Sequence, residues 1–224
     1  MSVRIVLFAK APLPGLAKTR LIPALGALGA AELARRMLKH AVTQALAAEV
    51  GPVELCVTPF HQESTWQSLG IPAAVTWSDQ GEGDLGSRMA RAAQRVPAAG
   101  ESVLLIGGDC PALSAEHLRR AVTSLQHFDA TLVPTADGGY VLLGLTRFHA
   151  SLFEDIEWST GSVAQETLRR LEKLGWNVQT HSMLQDIDEP ADLKGLAPHW
   201  LEPLQEDESA QVKRRSTGRG PQRS

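Results

Sequence analysis

Short aliphatic runs alternate with longer amphipathic ones along nearly all of this chain, and that alternation constrains the fold more than any single motif. VRIVLFA, from Val3 to Ala9, reads as a strand, and a helical pattern follows from Gly29 to Glu49. Residues 53–59 (VELCVTP) read as a second strand, 61–69 as a short helix, and 73–77 (AAVTW) as a third strand. After the turn QGEGDLG, a helix is predicted from Leu85 to Arg95. SVLLIG, 102–107, is short, aliphatic and ended by Gly107 and Gly108, as a buried strand should be. Ser114 opens a helix with Glu116 in its first turn and apolar spacing at Leu118, Val122 and Leu125. Two further strands, 129–135 and 139–145, lie too close together for a helical crossover, so they do not form a simple parallel βαβ step. Ser162 with Gln165 predicts a capping box for a helix ending near Gly175. Residues 176–183 read as a last strand, and a short helix follows Pro190. Such a chain folds as layered α/β with a mostly parallel sheet, and its ligands belong at the carboxyl ends of the strands.

Composition narrows the function classes. The 224 residues suffice for one large domain, expected over residues 1–204. With 43% apolar residues the chain reads as an ordinary soluble protein. A net charge of −3 leaves no electrostatic footprint for nucleic acid over the whole chain. No apolar stretch approaches the length of a membrane span, and the start shows no signal-peptide architecture. Cys56 and Cys110 cannot make a disulfide framework and are expected as reduced thiols. These features together predict a cytoplasmic protein. From Gln205 onward there is no apolar period, and Lys213, Arg214, Arg215, Arg219 and Arg223 lie among Ser, Gly, Pro and Gln. Residues 205–224 therefore read as a disordered basic tail.

The charged residues ask for an anion. FAKAPLPGLAKTR, residues 8–20, clusters Lys10, Lys18 and Arg20 just past the first strand. Its prolines stiffen the loop, and Gly15 permits close backbone approach. A P-loop is excluded, because that motif needs Gly directly before the Lys and a second Gly five residues earlier; here Ala17 precedes Lys18 and the single glycine is Gly15. The three cations either converge on phosphates or form a solvated face. Four acidic stretches follow: QGEGDLGSRM with Asp84 and Arg88, IGGDCPAL with Asp109, TADGGY with Asp137, and LQDIDEPADL with Asp186, Asp188 and Asp192. Asp109 comes directly off the buried strand, either facing a ligand or satisfying backbone donors of its own turn. Asp186 and Asp188 share a face on an extended segment, with Ile187 turned inward; Asp188 or Glu189 before Pro190 also suits a helix start. The histidines lack zinc spacing, whereas carboxylates with phosphate oxygens suit Mg2+ or Mn2+. A nucleotide's phosphate chain is then the expected anion. No Ser-His-Asp order stands out, and Cys110 beside Asp109 reads as a packed small residue rather than a nucleophile.

FAKAPLPGLAKTRL, GDLGSRM, GGDCPAL, DGGYVLLGL, EWST and DIDEPADL, in this order, resemble the small bacterial glycosyltransferase-A-like proteins known as radical-SAM/selenodomain-associated transferases. That family is similar to phospholactate guanylyltransferase and, more distantly, to the molybdenum-cofactor guanylyltransferase. The resemblance spans about residues 3 to 196. It implies a nucleotide-diphospho-sugar transferase (GT-A-like) fold, with a central mixed, mostly parallel sheet and helices on both faces. It implies that Lys10, Gly15, Lys18 and Arg20 bind the donor's base and phosphates, and that Asp84, Gly86 and Arg88 frame the nucleoside. Asp109 would hold Mg2+ or Mn2+, with Asp188 as second ligand. Asp137, Gly138, Gly139 and Tyr140 would lie on the acceptor or sugar side. Apart from what the resemblance implies, Asp137 is the candidate general base. Trp158 in EWST either flanks the acceptor or packs in the core. Two departures stand out: the LxGGxGxR loop of sugar nucleotidyltransferases is absent, and the D-x-D of many glycosyltransferases is replaced by Gly-Asp-Cys at 108–110. The expected activity is metal-dependent glycosyl transfer from a nucleotide-sugar donor to a small-molecule acceptor. Nucleotidyl transfer from a nucleoside triphosphate and non-catalytic nucleotide binding are the alternatives.

Overall fold

Strands β1 (Val3–Lys10), β2 (Val53–Thr58) and β4 (Ser102–Gly107) are apolar on both faces, and the fold buries both. Such strands need helices above and below them. The computed structural model describes residues 2–60 and 63–201. It supplies α1 (Ile22–Ala48), α2 (Glu63–Gln67), α3 (Leu85–Ala98), α4 (Ala115–Ser124) and α5 (Val163–Lys173). The remaining strands are β3 (Thr76–Asp79), β5 (Ala130–Pro134), β6 (Tyr140–Leu145) and β7 (Val178–Thr180). The seven strands form one sheet in the order β3-β2-β1-β4-β6-β5-β7. β6 runs antiparallel to both β4 and β5, and the other pairings are parallel. The close β5–β6 spacing is thus an antiparallel step, as their short separation required.

The described residues fall into two compact units. The first, Met1–Ala11 with Met37–Ile187, contains the sheet. On one of its faces Val6, Val103, Leu105, Leu132 and Leu143 form a continuous core with Met89, Ala93 and Val96 of α3 and Leu171 of α5. On the other, α1 and α4 are tied together: Arg119 Nη2 donates to Ala47 O at 2.6 Å, and Gln44 Oε1 accepts the Ala115 amide at 2.9 Å. The second unit combines Pro12–Arg36 with residues 188–201. It contains the first turns of α1, interrupted at Gly26, whose φ of 70° and ψ of 166° are not helical.

Several elements differ from the sequence reading. β3 lies at 76–79 rather than 73–77, because the Val75 amide donates to Pro72 O at 3.0 Å and keeps the start of that run in a turn. α1 begins at Ile22, earlier than Gly29, and β7 is only three residues long. The Ser162–Gln165 capping box does not form; Ser162 Oγ lies 3.0 Å from the Thr160 hydroxyl and makes no cap bond. At α4, His117 plays the corresponding part, its Nδ1 accepting the Ser114 amide at 3.2 Å. The basic tail, 205–224, lies outside the described residues.

Candidate functional site

In the first unit the carboxyl ends of the parallel strands carry the predicted residues. Phe8 of β1 pairs with Gly107 of β4, so Lys10 and Asp109, each two residues further on, leave neighbouring strands side by side. The turn after β4 is pinned in place. Asp109 O accepts the Ile187 amide at 3.1 Å, and Cys110 Sγ donates to Gln185 O at 3.2 Å. Ile187 is buried, as its place between two aspartates suggested. Burial raises the Cys110 thiol to about 11, which suits a packed residue and not a nucleophile.

The turn into α3 uses Asp84 as its cap. Asp84 Oδ1 accepts the Ser87 hydroxyl at 2.6 Å and the Ser87 amide at 2.8 Å, and these two bonds hold the carboxyl below its usual range. Arg88 Nε donates to Gly83 O at 2.9 Å, closing the same turn. Gly86 is a packing glycine. A Cβ there would strike the Phe153 carbonyl and the Trp158 indole, so α3 begins in direct contact with the segment before α5. The Trp158 Nε1 in that contact is buried and has no hydrogen-bond partner among the described residues.

Asp137 sits in the β5–β6 hairpin. Its Oδ1 accepts the Thr135 hydroxyl at 2.6 Å and the Gly139 amide at 2.9 Å. Gly138 has φ +87° and abuts the backbone of Gly161, where any side chain would collide. Its carbonyl accepts the Ala164 amide at 2.9 Å, locking the hairpin to the first turn of α5. Tyr140 turns its ring into the α3-side core. Its hydroxyl is buried without a completed hydrogen bond among the described residues, Thr167 approaching it while donating to Val163 O; burial raises the phenol far above its ordinary value.

In the second unit, Lys18, Arg20 and Asp188 come together. Lys18 Nζ donates to Asp188 Oδ1 at 2.5 Å. Arg20 Nη1 stands 3.9 Å from Asp188 Oδ2 and 3.8 Å from Glu189 Oε1. Asp192 Oδ2 accepts the amides of Asp188 and Glu189 at 2.9 and 2.7 Å and so ties this turn together. The short helix that starts at Asp192 has Ala191 at its N-cap, not Asp188 or Glu189, and no side chain caps it. Gly15 takes φ +78°, a left-handed conformation that favours glycine, with nothing among the described residues within 4 Å of where a Cβ would stand. The backbone bonds of the Asp192 carboxylate and the buried Gln80 amide leave no local signal in the sequence. Among the described residues no group of three or more His, Cys, Asp or Glu side chains is placed to hold a metal ion. A protein-built metal cage therefore does not fit these residues. A cation bound largely through phosphate oxygens needs only one or two protein carboxylates. Asp109 supplies one in the first unit, and Asp188 one in the second.

Residues 41–160 match the family described as uncharacterized protein conserved in bacteria (DUF2064). This chain belongs to that family. No curated protein matches it. A solved structure from Desulfovibrio desulfuricans, provisionally assigned as a nucleotide-diphospho-sugar transferase, is 28% identical, with 96% of this chain and 98% of that one covered and a TM-score of 0.81. A 4-diphosphocytidyl-2C-methyl-D-erythritol synthase from Anaerococcus prevotii is 11% identical over 90% of this chain and 98% of its own, TM-score 0.60. Rv0371C of Mycobacterium tuberculosis, solved in complex with manganese, is 16% identical over 88% and 98%, TM-score 0.50. The last two share the fold alone. This DUF2064 chain has the GT-A-like fold, a mixed and mostly parallel sheet flanked by helices, as the sequence motifs implied. No helix among the described residues is long and apolar enough to cross a membrane.

Proposed function

We propose that this chain is a nucleotide-dependent transferase that moves a glycosyl group from a nucleotide-sugar donor to a small-molecule acceptor. The observation that carries this reading is the near full-length likeness to the Desulfovibrio desulfuricans structure. The residues at the strand ends suit the chemistry. When the glycosyl bond breaks, negative charge gathers on the departing nucleoside diphosphate, and preorganised cations lower the barrier. Lys10, Lys18 and Arg20 are the proposed cations, with Gly15 shaping their loop. Asp84, Gly86 and Arg88 act through the start of α3, whose cap and packing set where the nucleoside rests. Asp109 and Asp188 are the proposed carboxylates for Mg2+ or Mn2+, which when bound supplies a Lewis acid for the diphosphate. A cation reaches Asp188 only in competition with the Lys18 ammonium. Gly138, Gly139, Tyr140 and Trp158 form the proposed acceptor side, and Asp137, oriented by Thr135 and the Gly139 amide, is the proposed base.

Nucleotidyl transfer, as in the phospholactate guanylyltransferase that the motifs resemble, is the reading to test against. Incubation with labelled nucleotide-sugars and nucleoside triphosphates in the presence of Mn2+ separates the two. Free nucleoside diphosphate supports glycosyl transfer, and free pyrophosphate supports nucleotidyl transfer. Metal-independent binding without turnover of any donor would reduce the chain to a nucleotide-binding module. Asp109→Asn is expected to abolish Mn2+-dependent nucleotide binding while the melting curve stays unchanged. Undiminished Mn2+-dependent affinity in that variant counts against the site.

A further inference from the structure

Gln80, between β3 and α3, is a polar side chain at 5% exposure. A buried amide is tolerated only when its donors and acceptor are used. Here Nε2 donates to Ala9 O at 3.1 Å and to Cys56 O at 3.0 Å. Oε1 faces Arg88 Nη1 at 3.5 Å, a long contact. The backbone of the same residue adds more: its amide donates to Val57 O at 3.1 Å, and its carbonyl accepts Arg91 Nε at 3.0 Å and Nη2 at 2.7 Å. One residue thus bonds the carboxyl ends of β1 and β2 and two arginines of α3. Ala9 precedes Lys10 directly, and Arg88 and Arg91 lie in the first two turns of α3.

We propose that Gln80 is a positioning residue for nucleotide binding: it fixes Lys10, at the end of β1, against Arg88 at the start of α3. The inference rests on the reading above that Lys10 meets the nucleotide's phosphates and that Arg88, closing the turn at the start of α3, helps set where the nucleoside rests. Its chemistry demands an amide. A carboxylate of the same shape would set an acceptor against two carbonyl oxygens, and a thioether would leave both carbonyls without their extra donor.

The test uses the full chain, with UDP and GDP plus Mn2+ as probes, in calorimetry well below the melting temperature. Gln80→Glu is expected to weaken binding about tenfold. In the Lys10→Ala/Arg88→Ala background the same change should shift affinity less than about twofold, because coupled residues are not additive. Lower pH should restore part of the loss as the introduced carboxyl gains a proton and one donor. Hydrogen exchange supplies a readout independent of any nucleotide: amides of residues 9–11 and 84–88 should exchange faster in the variant while the rest of the sheet stays protected. Gln80→Met gives the same two measurements if Gln80→Glu does not fold. Unchanged affinity, an equal loss in the doubly substituted background, or a uniform rise in exchange across the sheet overturns the proposal. If the wild-type chain binds neither nucleotide, the functional reading falls. Exchange then decides the brace alone: local release upholds it and no local change overturns it.

Discussion

Two ion pairs in this molecule have the same kind of partners and opposite designs. In the first unit, Arg95 grips Glu54 with both terminal nitrogens, Nη1 to Oε2 at 2.9 Å and Nη2 to Oε1. Ser78 donates to the same carboxylate, and Arg4 stands 3.9 Å away. The Glu54 side chain is 5% exposed. In the second unit, Lys18 meets Asp188 through one short contact, and the Asp188 side chain is 40% exposed. Lys18 also holds φ 46° and ψ 47°, a left-handed conformation that costs a non-glycine residue about 1–3 kcal/mol. A bidentate pair whose carboxylate is buried serves stability, although its arginine reaches water. A single-contact pair whose carboxylate stays open to water, carried on a strained backbone, is the one proposed to exchange that carboxylate for a phosphate.

The largest effect expected from this contrast is on the closed pair. Arg95→Met leaves Glu54 buried with Ser78 and a distant Arg4, and should destabilise the fold by about 2–3 kcal/mol, below the cost of breaking a fully buried pair because Arg95 is itself partly exposed. The pH dependence carries a definite sign. Burial pushes the Glu54 carboxyl up, but Arg95 and Ser78 outweigh it, so the folded value lies below the unfolded one. Its contribution is therefore present above about pH 4.3 and is lost as pH falls through the lower folded value. Without Arg95, burial dominates and the folded value should rise, so acid should favour the variant. Denaturant melts from pH 7 to 3 should show the gap narrowing, and a constant gap would contradict the network.

That pair also shows what the sequence could and could not disclose. The strands were legible because aliphatic runs bounded by glycine and proline have few other uses; β4 ran from Ser102 to Gly107 as read. β3 slipped because an edge strand has little apolar patterning: Thr76, Trp77 and Asp79 are exposed, and the buried Val75 belongs to the preceding turn. Glu54 interrupts the apolar run of VELCVTP with nothing nearby to explain it, since its partner Arg95 lies forty-one residues away on another element. Gln80 was hidden for a related reason. In a glycine-rich turn a glutamine reads as solvated, and its burial depends on carbonyls from two distant strands. The aspartates were conspicuous, but their local duties were not: Asp84 caps α3, Asp192 ties down the amides of Asp188 and Glu189, and Asp137 stabilises its own turn. Side-chain roles set by long-range contacts leave no local pattern.

On the open pair, Lys18→Ala should reduce the affinity for a nucleoside diphosphate by about 1.5–3 kcal/mol, the scale of a charge-assisted hydrogen bond. The fold should lose little, because the alanine removes an incompletely buried pair and its partner Asp188 keeps access to water. Calorimetry with the diphosphate and with the bare nucleoside tests this. Equal losses for both would remove the phosphate role and make the two ion pairs alike in kind.

Arg20→Ala should have the smallest consequence. The Arg20 side chain is 60% exposed and its carboxylate neighbours lie 3.8–3.9 Å away, so Coulomb attraction there is weak and competes with water. Stability should change by less than about 0.5 kcal/mol. Any loss of nucleotide affinity should be smaller than that for Lys18→Ala and should fade as salt rises toward about 0.5 M, where charges more than a few ångströms apart no longer sense one another. The Lys18→Ala loss should persist further, because a direct contact is screened less. Affinities of the two variants along one salt series make the comparison: a salt-resistant Arg20→Ala loss equal to that of Lys18→Ala would mean that the second unit binds phosphate through a spread of charge and not through the one strained lysine.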